Sequence, residues 1–424
     1  MDWIIVFLMA LLAGFGLWIL YHEGLLRSRG FWILSAALIL VSLAARLAVF
    51  DYETLDYQNF LAHWCAFYRE HGGFPALKYQ IGNYNIPYLY FLALFSYLPA
   101  RDLYLIKFLS TVFDLLLAWA VLRLVSRFTA SSGRRLGSFF AVLFLPTVYL
   151  NSAVWGQCDS IYVALLLFGI VFALEDKPRA SMVMAALAFG FKLQAVFVLP
   201  IYAVLWIRGK FKAKHFLLFP LSYIVLVLPA VLLGRPFLDT LTLYFSQTGS
   251  IGSGLNYNSP SVFAIFWRVE NTSFASGIAI GAAFLFLINM LGVAWINRQK
   301  LSEQSILALA LLFAIGIPFL LPHMHERYFY AADILSLVMA FAFPIFSPAA
   351  LLVQFASLLG YHAYLKMRYL LYMDNGAYAL IVAFAITLGG SLPEPKRAEW
   401  LSMSFTSFAC VGVKCSPSRM RSPM

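Results

Sequence analysis

Short polar segments interrupt an otherwise apolar chain, and they hold the residue types that proton transfer and phosphate binding require. The acidic segment DYETLDY contains Asp56, WGQCD contains Gln157 and Asp159, SGLNYNSP contains Asn256 and Asn258, and HMHER contains His325, Glu326 and Arg327. A carboxylate can accept the proton of a substrate hydroxyl. An Arg guanidinium matches the geometry of a phosphate. These segments are therefore the candidate functional residues of the chain.

Each candidate also has a purely structural interpretation. The acidic segment could be a solvated loop, and Arg46 and Lys107, each near the end of an apolar segment, could extend to lipid headgroups. The HMHER segment is harder to explain by packing, because two imidazoles, a carboxylate and a guanidinium at the end of an apolar helix contribute nothing to a core. Ionisable groups at membrane depth are costly and indicate function.

The composition identifies the solvent of the chain as lipid. Of 424 residues, 62% are hydrophobic and 12% are charged, whereas soluble domains contain about 25% charged residues. The formal net charge of +11 therefore bears on membrane orientation rather than on nucleic-acid binding. The four cysteines show neither a metal-binding spacing nor a disulfide framework.

Repeated apolar segments predict an all-α polytopic membrane protein with about 11–13 transmembrane helices, since ~20 helical residues cross the hydrocarbon core. The predicted spans are 3–20, 31–50, 103–125, 136–154, 158–174, 215–234, 274–295, 304–321, 328–345, 348–366 and 376–391. Segment 180–207 is long enough for two short helices broken near Lys192. A polar break inside a membrane is tolerated where it lines a cavity or is buried in protein.

The Lys and Arg residues predict the orientation. They are concentrated in the short connections around 27–29, 123–135, 177–179, 208–214, 298–300 and 396–397. The positive-inside rule makes this side cytoplasmic. Segments 51–102, 155–157, 235–273, 322–327 and 367–375 then lie outside, so that the candidate residues collect on the non-cytoplasmic face.

Two further assignments complete the organisation of the chain. Residues 1–396 form one multi-span domain, in which 51–102 is an outer loop with interfacial helices. Residues 87–98 are apolar but short, and we assign them to an interfacial or re-entrant helix because a span there would invert every later loop. Residues 397–424 predict a disordered cytoplasmic tail.

The outer-face residues meet the requirements of glycosyl transfer from a lipid phosphate. Asp56 is the candidate base, and Arg327 with His325, and Lys192 or Arg46, are candidates for binding the phosphate. Aromatic residues supply a wall for the lipid. We also include Lys107, Glu326, Gln157 and Asp159 among the residues that bind the donor phosphate or the substrate.

The segments DYQNFLAHW, GGFPAL, GNYNIPYLY, WGQCDSIY, GFKLQAVFVLP and LPHMHERYFY, in this order over residues 45 to 340, resemble the bacterial relatives of the glycosylphosphatidylinositol mannosyltransferase that adds the second mannose. These enzymes belong to the GT-C superfamily. The resemblance implies a multi-span fold, an active site in the first outer loop, and a polyprenyl-phosphate-sugar donor.

The resemblance also implies roles for individual residues. It makes Asp56, before Tyr57, the catalytic base. Three further sets match family motifs: Trp155, Gln157 and Asp159; Lys192 and Gln194; and His325, Glu326 and Arg327. Mannose is the sugar that it favours. Enzymes of this superfamily differ in metal use, and the residues predict no metal site, although a divalent metal is compatible with them.

Several alternatives stay open. A transporter or flippase of lipid-linked glycans would also show a broken helix and buried cations, but its polar groups would lie at the midplane. An O-antigen-type polymerase or ligase would have a larger late outer loop. The acceptor is a glycan, a lipid or a protein, and the short basic inner loops suit a bacterial plasma membrane.

Overall fold

A computed structural model describes residues 3–247, 254–266 and 268–391, and it is built almost entirely of helices. The α-helices are α1 Trp3–His22, α2 Arg29–Leu47, α3 Ala62–Glu70, α4 Ile86–Phe95, α5 Asp102–Ser126, α6 Ser132–Phe144, α7 Pro146–Tyr149, α8 Asp159–Leu174, α9 Pro178–Phe191, α10 Ile201–Ile207, α11 Leu218–Leu232, α12 Phe237–Leu241, α13 Leu243–Gln247, α14 Val262–Ile265, α15 Thr272–Ile296, α16 Glu303–Leu320, α17 Tyr330–Ala342, α18 Ser347–Leu365 and α19 Met373–Ser391. Tyr57–Leu61 and Leu150–Trp155 are π-helical turns, and four 3₁₀ turns are Phe74–Lys78, Leu193–Phe197, Ala213–Leu217 and Pro344–Phe346. A parallel pair joins β1 Asn256–Tyr257 to β2 Met324–His325.

The helices confirm an all-α polytopic membrane protein. Among the described residues, eight helices are long and apolar enough to cross a membrane, and a ninth span arises if Ser132–Phe144 and Pro146–Trp155, bent by 41°, are counted together. Among the described residues there are also shorter apolar helices of 10–17 residues, including α8, α9 and α17. The expected 11–13 spans are reached only if these shorter helices also cross.

The predicted break near Lys192 is present. Helix α9 ends at Phe191, and Lys192 adopts an extended conformation before the 3₁₀ turn Leu193–Phe197. A second interruption separates α6 from α8, where the π-helical turn Leu150–Trp155 ends at Gly156 with a left-handed φ of 79°. The two interruptions lie close together, because Lys192 Nζ is 2.6 Å from the carboxylate of Asp159, the first residue of α8.

Segment 51–102, the predicted first outer loop, folds into short elements fixed to the bundle. Helix α4 has 10 residues, too few to cross a hydrocarbon core at ~1.5 Å per residue. Arg69 binds the end of this loop, donating to Asp102 (Nε–Oδ2, 3.0 Å) and to the carbonyl oxygen of Ala100 (3.1 Å). The predicted interfacial or re-entrant helix 87–98 corresponds to the short, largely buried helix α4, and its place relative to the membrane stays a prediction. The predicted tail 397–424 lies outside the described residues.

The other end of the bundle is joined by ion pairs between helix ends. Arg123, near the end of α5, pairs with Glu175 at the end of α8. Arg127 pairs with Glu303 at the start of α16 over 2.7 Å. Because α8 carries Asp159 at its first residue and Glu175 just beyond its last, these ion pairs lie at the end opposite to WGQCD.

Candidate active site

The polar segments from the sequence meet around one cavity of about 450 Å³. It is lined by Asp56, Phe60, Leu61, Trp64, Asn83, Tyr84, Gln157, Tyr257, Asn258, His325, Glu326, Arg327, Tyr328 and Tyr364. These residues come from six separate stretches of the chain. The cavity therefore depends on the tertiary fold and not on any single motif.

Asp56 is held at the cavity wall by two donors. Its Oδ2 accepts hydrogen bonds from Trp155 Nε1 (2.8 Å) and from Gln157 Nε2 (3.0 Å). The hydroxyl of Thr54 donates to the carbonyl oxygen of Trp155 (3.2 Å) and ties the same two loops together. Both side-chain donors converge on Oδ2 and fix the orientation of the carboxylate.

The indole of Trp155 organises this part of the site. The side chain is 1% exposed, and its ring stacks on Tyr364 with centroids 4.1 Å apart and planes 10° from parallel. The guanidinium carbon of Arg327 lies 5.1 Å from the centroid of the same indole. One buried ring thus fixes the carboxylate, a phenol and a cation relative to each other.

A second cavity of about 190 Å³ adjoins the first. Asn83, Tyr84, Arg327 and Tyr328 line both, and Lys192 lines the smaller one. Lys192 Nζ lies 2.6 Å from Asp159 Oδ1, and both side chains are at least 95% buried. Arg327 therefore stands between a chamber that contains Asp56 and a chamber that contains Lys192.

The cations of the site are balanced by neighbouring carboxylates. Arg327 Nη1 donates to Glu326 Oε1 over 2.8 Å, and Glu326 is 2% exposed. Within the described part of the chain, Arg327 Nε has no hydrogen-bond partner. The guanidinium can thus donate to a further anion without breaking its contact with Glu326.

His325 lies in the cavity wall as a neutral imidazole. The β1–β2 pair places its ring 4.7 Å from that of Tyr257, stacked at 13°. Burial lowers the pKa of His325 to about 4, and the positive charge of Arg327 acts in the same direction. Burial also raises the pKa of Glu326 above its usual value, while Arg327 opposes that rise.

Arg46 and Lys107 do not line either cavity. The Arg46 guanidinium donates to Asp114 Oδ2 (3.0 Å) and to Ser42 Oγ (2.7 Å) inside the bundle. Lys107 Nζ donates to the carbonyl oxygens of Val49 (2.9 Å) and Tyr52 (2.7 Å) just after α2. The sequence indicated the depth of these cations correctly, but depth does not give the direction of a side chain, and here both point to internal partners.

None of the four tyrosines that line the cavity was among the candidates: Tyr84, Tyr257, Tyr328 and Tyr364. The hydroxyl of Tyr84 donates to Gln157 Oε1 (3.0 Å) and so orients the amide that binds Asp56. Tyr364 lines the cavity from the last turn of α18. Tyr84 stood within the quoted GNYNIPYLY, but the sequence around Tyr364 contains no motif that distinguishes it from other membrane tyrosines.

The acidic and imidazole groups of the described residues do not form a metal-binding cluster of three or more. Asp56 and Glu326 are the two carboxylates of the larger cavity. The site thus combines an oriented carboxylate, paired buried cations and aromatic walls.

The fold and the cavity define a polytopic membrane protein with a polar site at one end of its helices. The model of glycosyltransferase family 87 matches residues 83–322, which is more than half of the chain, so the protein belongs to this family of glycosyltransferases. The match includes Gln157, Asp159 and Lys192, whereas Asp56 and Arg327 lie outside it. No curated protein matches the chain in sequence.

Proposed function

We propose that the protein is a GT-C type enzyme that moves a sugar from a polyprenyl-phosphate donor to an acceptor hydroxyl on the non-cytoplasmic face, with Asp56 as the general base. The observation that carries the proposal is the position of Asp56, fixed through Oδ2 by Trp155 and Gln157 at the wall of a cavity that also contains Arg327. The resemblance to the second-mannose transferases favours mannose.

In this reaction Asp56 Oδ1 accepts the proton of the acceptor hydroxyl while the acceptor oxygen attacks the anomeric carbon of the sugar. The bond between that carbon and the phosphate oxygen breaks, and the lipid phosphate leaves with the electron pair. A positioned general base contributes about 10²–10⁴-fold to such a step. The two hydrogen bonds to Oδ2 contribute by holding the carboxylate in one orientation.

Negative charge grows on the leaving phosphate, and the chamber between Arg327 and Lys192 is suited to hold it. Arg327 lies at the shared wall of the two cavities, its Nε has no hydrogen-bond partner among the described residues, and the buried ammonium of Lys192 lines the smaller cavity beside it. Preorganised donors at developing charge are worth more in a dry site than in water. His325 is neutral at physiological pH, so we assign it a hydrogen-bonding role rather than a cationic one.

The basic residues at the opposite end support the proposed orientation of the site. The ion pairs Arg123–Glu175 and Arg127–Glu303 lie on the side that the positive-inside rule makes cytoplasmic. The end that carries Asp56 then faces outside, for which a bacterial plasma membrane is the favoured setting. A lipid-linked donor suits this placement, because it delivers an activated sugar within the membrane.

The test is a transfer assay with purified protein in nanodiscs, supplied with labelled polyprenyl-phosphate mannose and other polyprenyl-phosphate hexoses and pentoses. Wild type is compared with Asp56→Asn and with Asp51→Asn. Asp51 is a matched control, because its carboxylate is 72% exposed, pairs with Arg101 and does not line the cavity. We expect donor consumption in wild type and in Asp51→Asn, and a loss of about 10²-fold or more in Asp56→Asn.

Other outcomes would overturn parts of the proposal. Equal turnover in Asp56→Asn removes this residue as the base. If no donor is consumed while the protein moves a lipid-linked glycan between leaflets, the transport alternative replaces the proposed reaction.

A further inference from the structure

A buried ion pair between two helices lies outside both cavities of the site. Arg46 Nη2 of α2 is 3.0 Å from Asp114 Oδ2 of α5, and neither side chain is more than 1% exposed. A buried ion pair need not stabilise a fold, because apolar residues of similar volume often serve as well or better. The other partners of Asp114 point to a different reason for placing a carboxylate there.

Two serine hydroxyl groups donate to this carboxylate, one to each oxygen. Ser152 Oγ donates to Asp114 Oδ2, and Ser160 Oγ donates to Asp114 Oδ1. Ser152 lies three residues before Trp155, and Ser160 lies three residues after Gln157, so the two serines flank this part of the site. One carboxylate therefore holds both ends of the segment whose indole and amide bind the proposed base.

The other two polar segments reach the same carboxylate. The hydroxyl oxygen of Tyr330 lies 2.8 Å from Ser160 Oγ. Because Ser160 uses its hydrogen on Asp114, the Tyr330 hydroxyl is the donor in this contact. The backbone N–H of Tyr330 in turn donates to the carbonyl oxygen of Arg327 (3.1 Å). Arg46 lies in the last turn of α2, from which the chain leads directly into DYETLDY.

Helix α5 supports this arrangement with two further contacts on one face. Lys107, Ser110 and Asp114 follow each other at spacings of three and four residues, which places them on the same side of a helix. Ser110 Oγ donates to the carbonyl oxygen of Gln157 (2.7 Å), and Lys107 Nζ donates to that of Tyr52 (2.7 Å). A single continuous helix thus holds both the segment of the proposed base and the segment that orients it.

We propose that Asp114 is a positioning residue, whose carboxylate fixes the place of the proposed base relative to the proposed phosphate-binding cations. The inference rests on the proposed function and adds to it the group that sets the geometry of the site. Asp114 does not line either cavity and touches no substrate. It acts through the serines that anchor the segment between Ser152 and Ser160.

The decisive variant removes the ion pair as a unit, by Arg46→Met together with Asp114→Leu. No buried charge is left without a partner, and such replacements are often neutral or stabilising. Ser152 also keeps its hydrogen bond to the carbonyl oxygen of Val148 (2.9 Å). We therefore expect the melting temperature in nanodiscs to equal or exceed that of wild type.

The kinetic readout uses the labelled polyprenyl-phosphate sugar that wild type consumes. A misplacement of about 1 Å can cost about 10²-fold in rate, so we expect kcat of this double variant to fall at least about tenfold. Donor KM should stay close to that of wild type, because the pairs Lys192–Asp159 and Arg327–Glu326 remain. A purely structural ion pair would leave kcat unchanged in a variant that is as stable as wild type.

Ser160→Ala is a second and milder variant, because it removes one anchor and retains the ion pair. We expect kcat to fall about three- to tenfold, as the loss of one net hydrogen bond implies, with donor KM unchanged. Ser357→Ala is the matched control. Ser357 Oγ donates to Asp333 Oδ1 over 2.8 Å, both side chains are buried, and neither lines a cavity of the site. It should lower the melting temperature without changing kcat.

Wild-type kcat in the stable double variant overturns this inference and leaves the proposed function standing. Equal kcat losses in Ser160→Ala and Ser357→Ala do the same, and this comparison decides the question if the double variant does not fold. Wild type that consumes no donor overturns both the inference and the proposed function.

Discussion

Replacement of Trp155 by Phe tests whether this indole acts through Asp56. The variant removes the Nε1–H donor, which lies 2.8 Å from Asp56 Oδ2, and keeps an aromatic ring against Tyr364. Gln157 still donates to the same oxygen at 3.0 Å, so the carboxylate loses one of its two side-chain donors.

The magnitude follows from the kind of bond that is lost. A hydrogen bond to a charged group contributes about 1.5–3 kcal/mol, and 1.36 kcal/mol corresponds to a factor of ten in rate. The remaining bond from Gln157 limits the loss to the lower part of that range. We expect kcat to fall about tenfold, with donor KM little changed, which is less than the loss expected for Asp56→Asn.

The assay is a double-mutant cycle. If Trp155 acts by orienting Asp56, Trp155→Phe should not lower kcat further in the Asp56→Asn background. The reason is that the effects of residues that act as one functional unit are not additive. The variants Trp155→Phe, Asp56→Asn and the double variant are therefore measured together with their thermal unfolding.

Trp119→Phe is the matched control, since Trp119 Nε1 also donates to a carboxylate, Glu23, over 2.8 Å at the other end of the bundle. It should retain full kcat. Additive losses in the double variant, or an unaltered kcat in Trp155→Phe, would refute the orienting role.

Three further predictions concern the remaining walls of the site. Arg327→Lys retains the positive charge but loses the planar guanidinium that can donate two hydrogen bonds to a phosphate. We therefore expect normal expression and a fall of at least tenfold in kcat/KM for the donor. Full activity would remove this residue from the phosphate role. Gly360→Ala would place a Cβ 2.9 Å from the carbonyl oxygen of Asn258 and should lower both melting temperature and activity, whereas Gly281→Ala, with nothing within 4 Å, should alter neither. Because the pKa of His325 is lowered to about 4, the imidazole stays neutral from pH 5 to 8. His325→Gln should therefore leave the acidic limb of the pH–rate profile unchanged. A shift of that limb would show that this imidazole titrates in the measured range.

The sequence predicted the features that composition and charge determine. Apolar segment length indicated most of the long helices, and the single lysine inside an apolar segment indicated the break that begins at Lys192. The polar segments that the basic loops assigned to one face do meet around one cavity. These predictions succeed because a lipid solvent constrains helix length and the placement of charge strongly.

Side-chain direction and long-range pairing could not be predicted in the same way. Arg46 was expected near the phosphate, yet Asp114 on another helix binds it inside the bundle. Trp155 and Asp56 are separated by 99 residues along the chain, and nothing in either segment encodes their contact. Tyr364 enters the site only because the end of α18 packs against the turn that carries Trp155.

The pairing of the buried cations would allow the proposed phosphate site to persist inside a largely apolar protein. An isolated buried charge is expensive, and its removal from water is offset only by a close partner of opposite sign. Lys192 with Asp159 and Arg327 with Glu326 each satisfy this condition at 2.6 Å and 2.8 Å. Both pairs nevertheless keep a cation at a cavity wall, so the phosphate of the proposed donor would add negative charge to a region whose positive charges are already desolvated and fixed. Because little reorganisation of the cations is then required when the sugar–phosphate bond breaks, the chamber that holds Lys192 and Arg327 is suited to stabilise the leaving group rather than only to bind the donor.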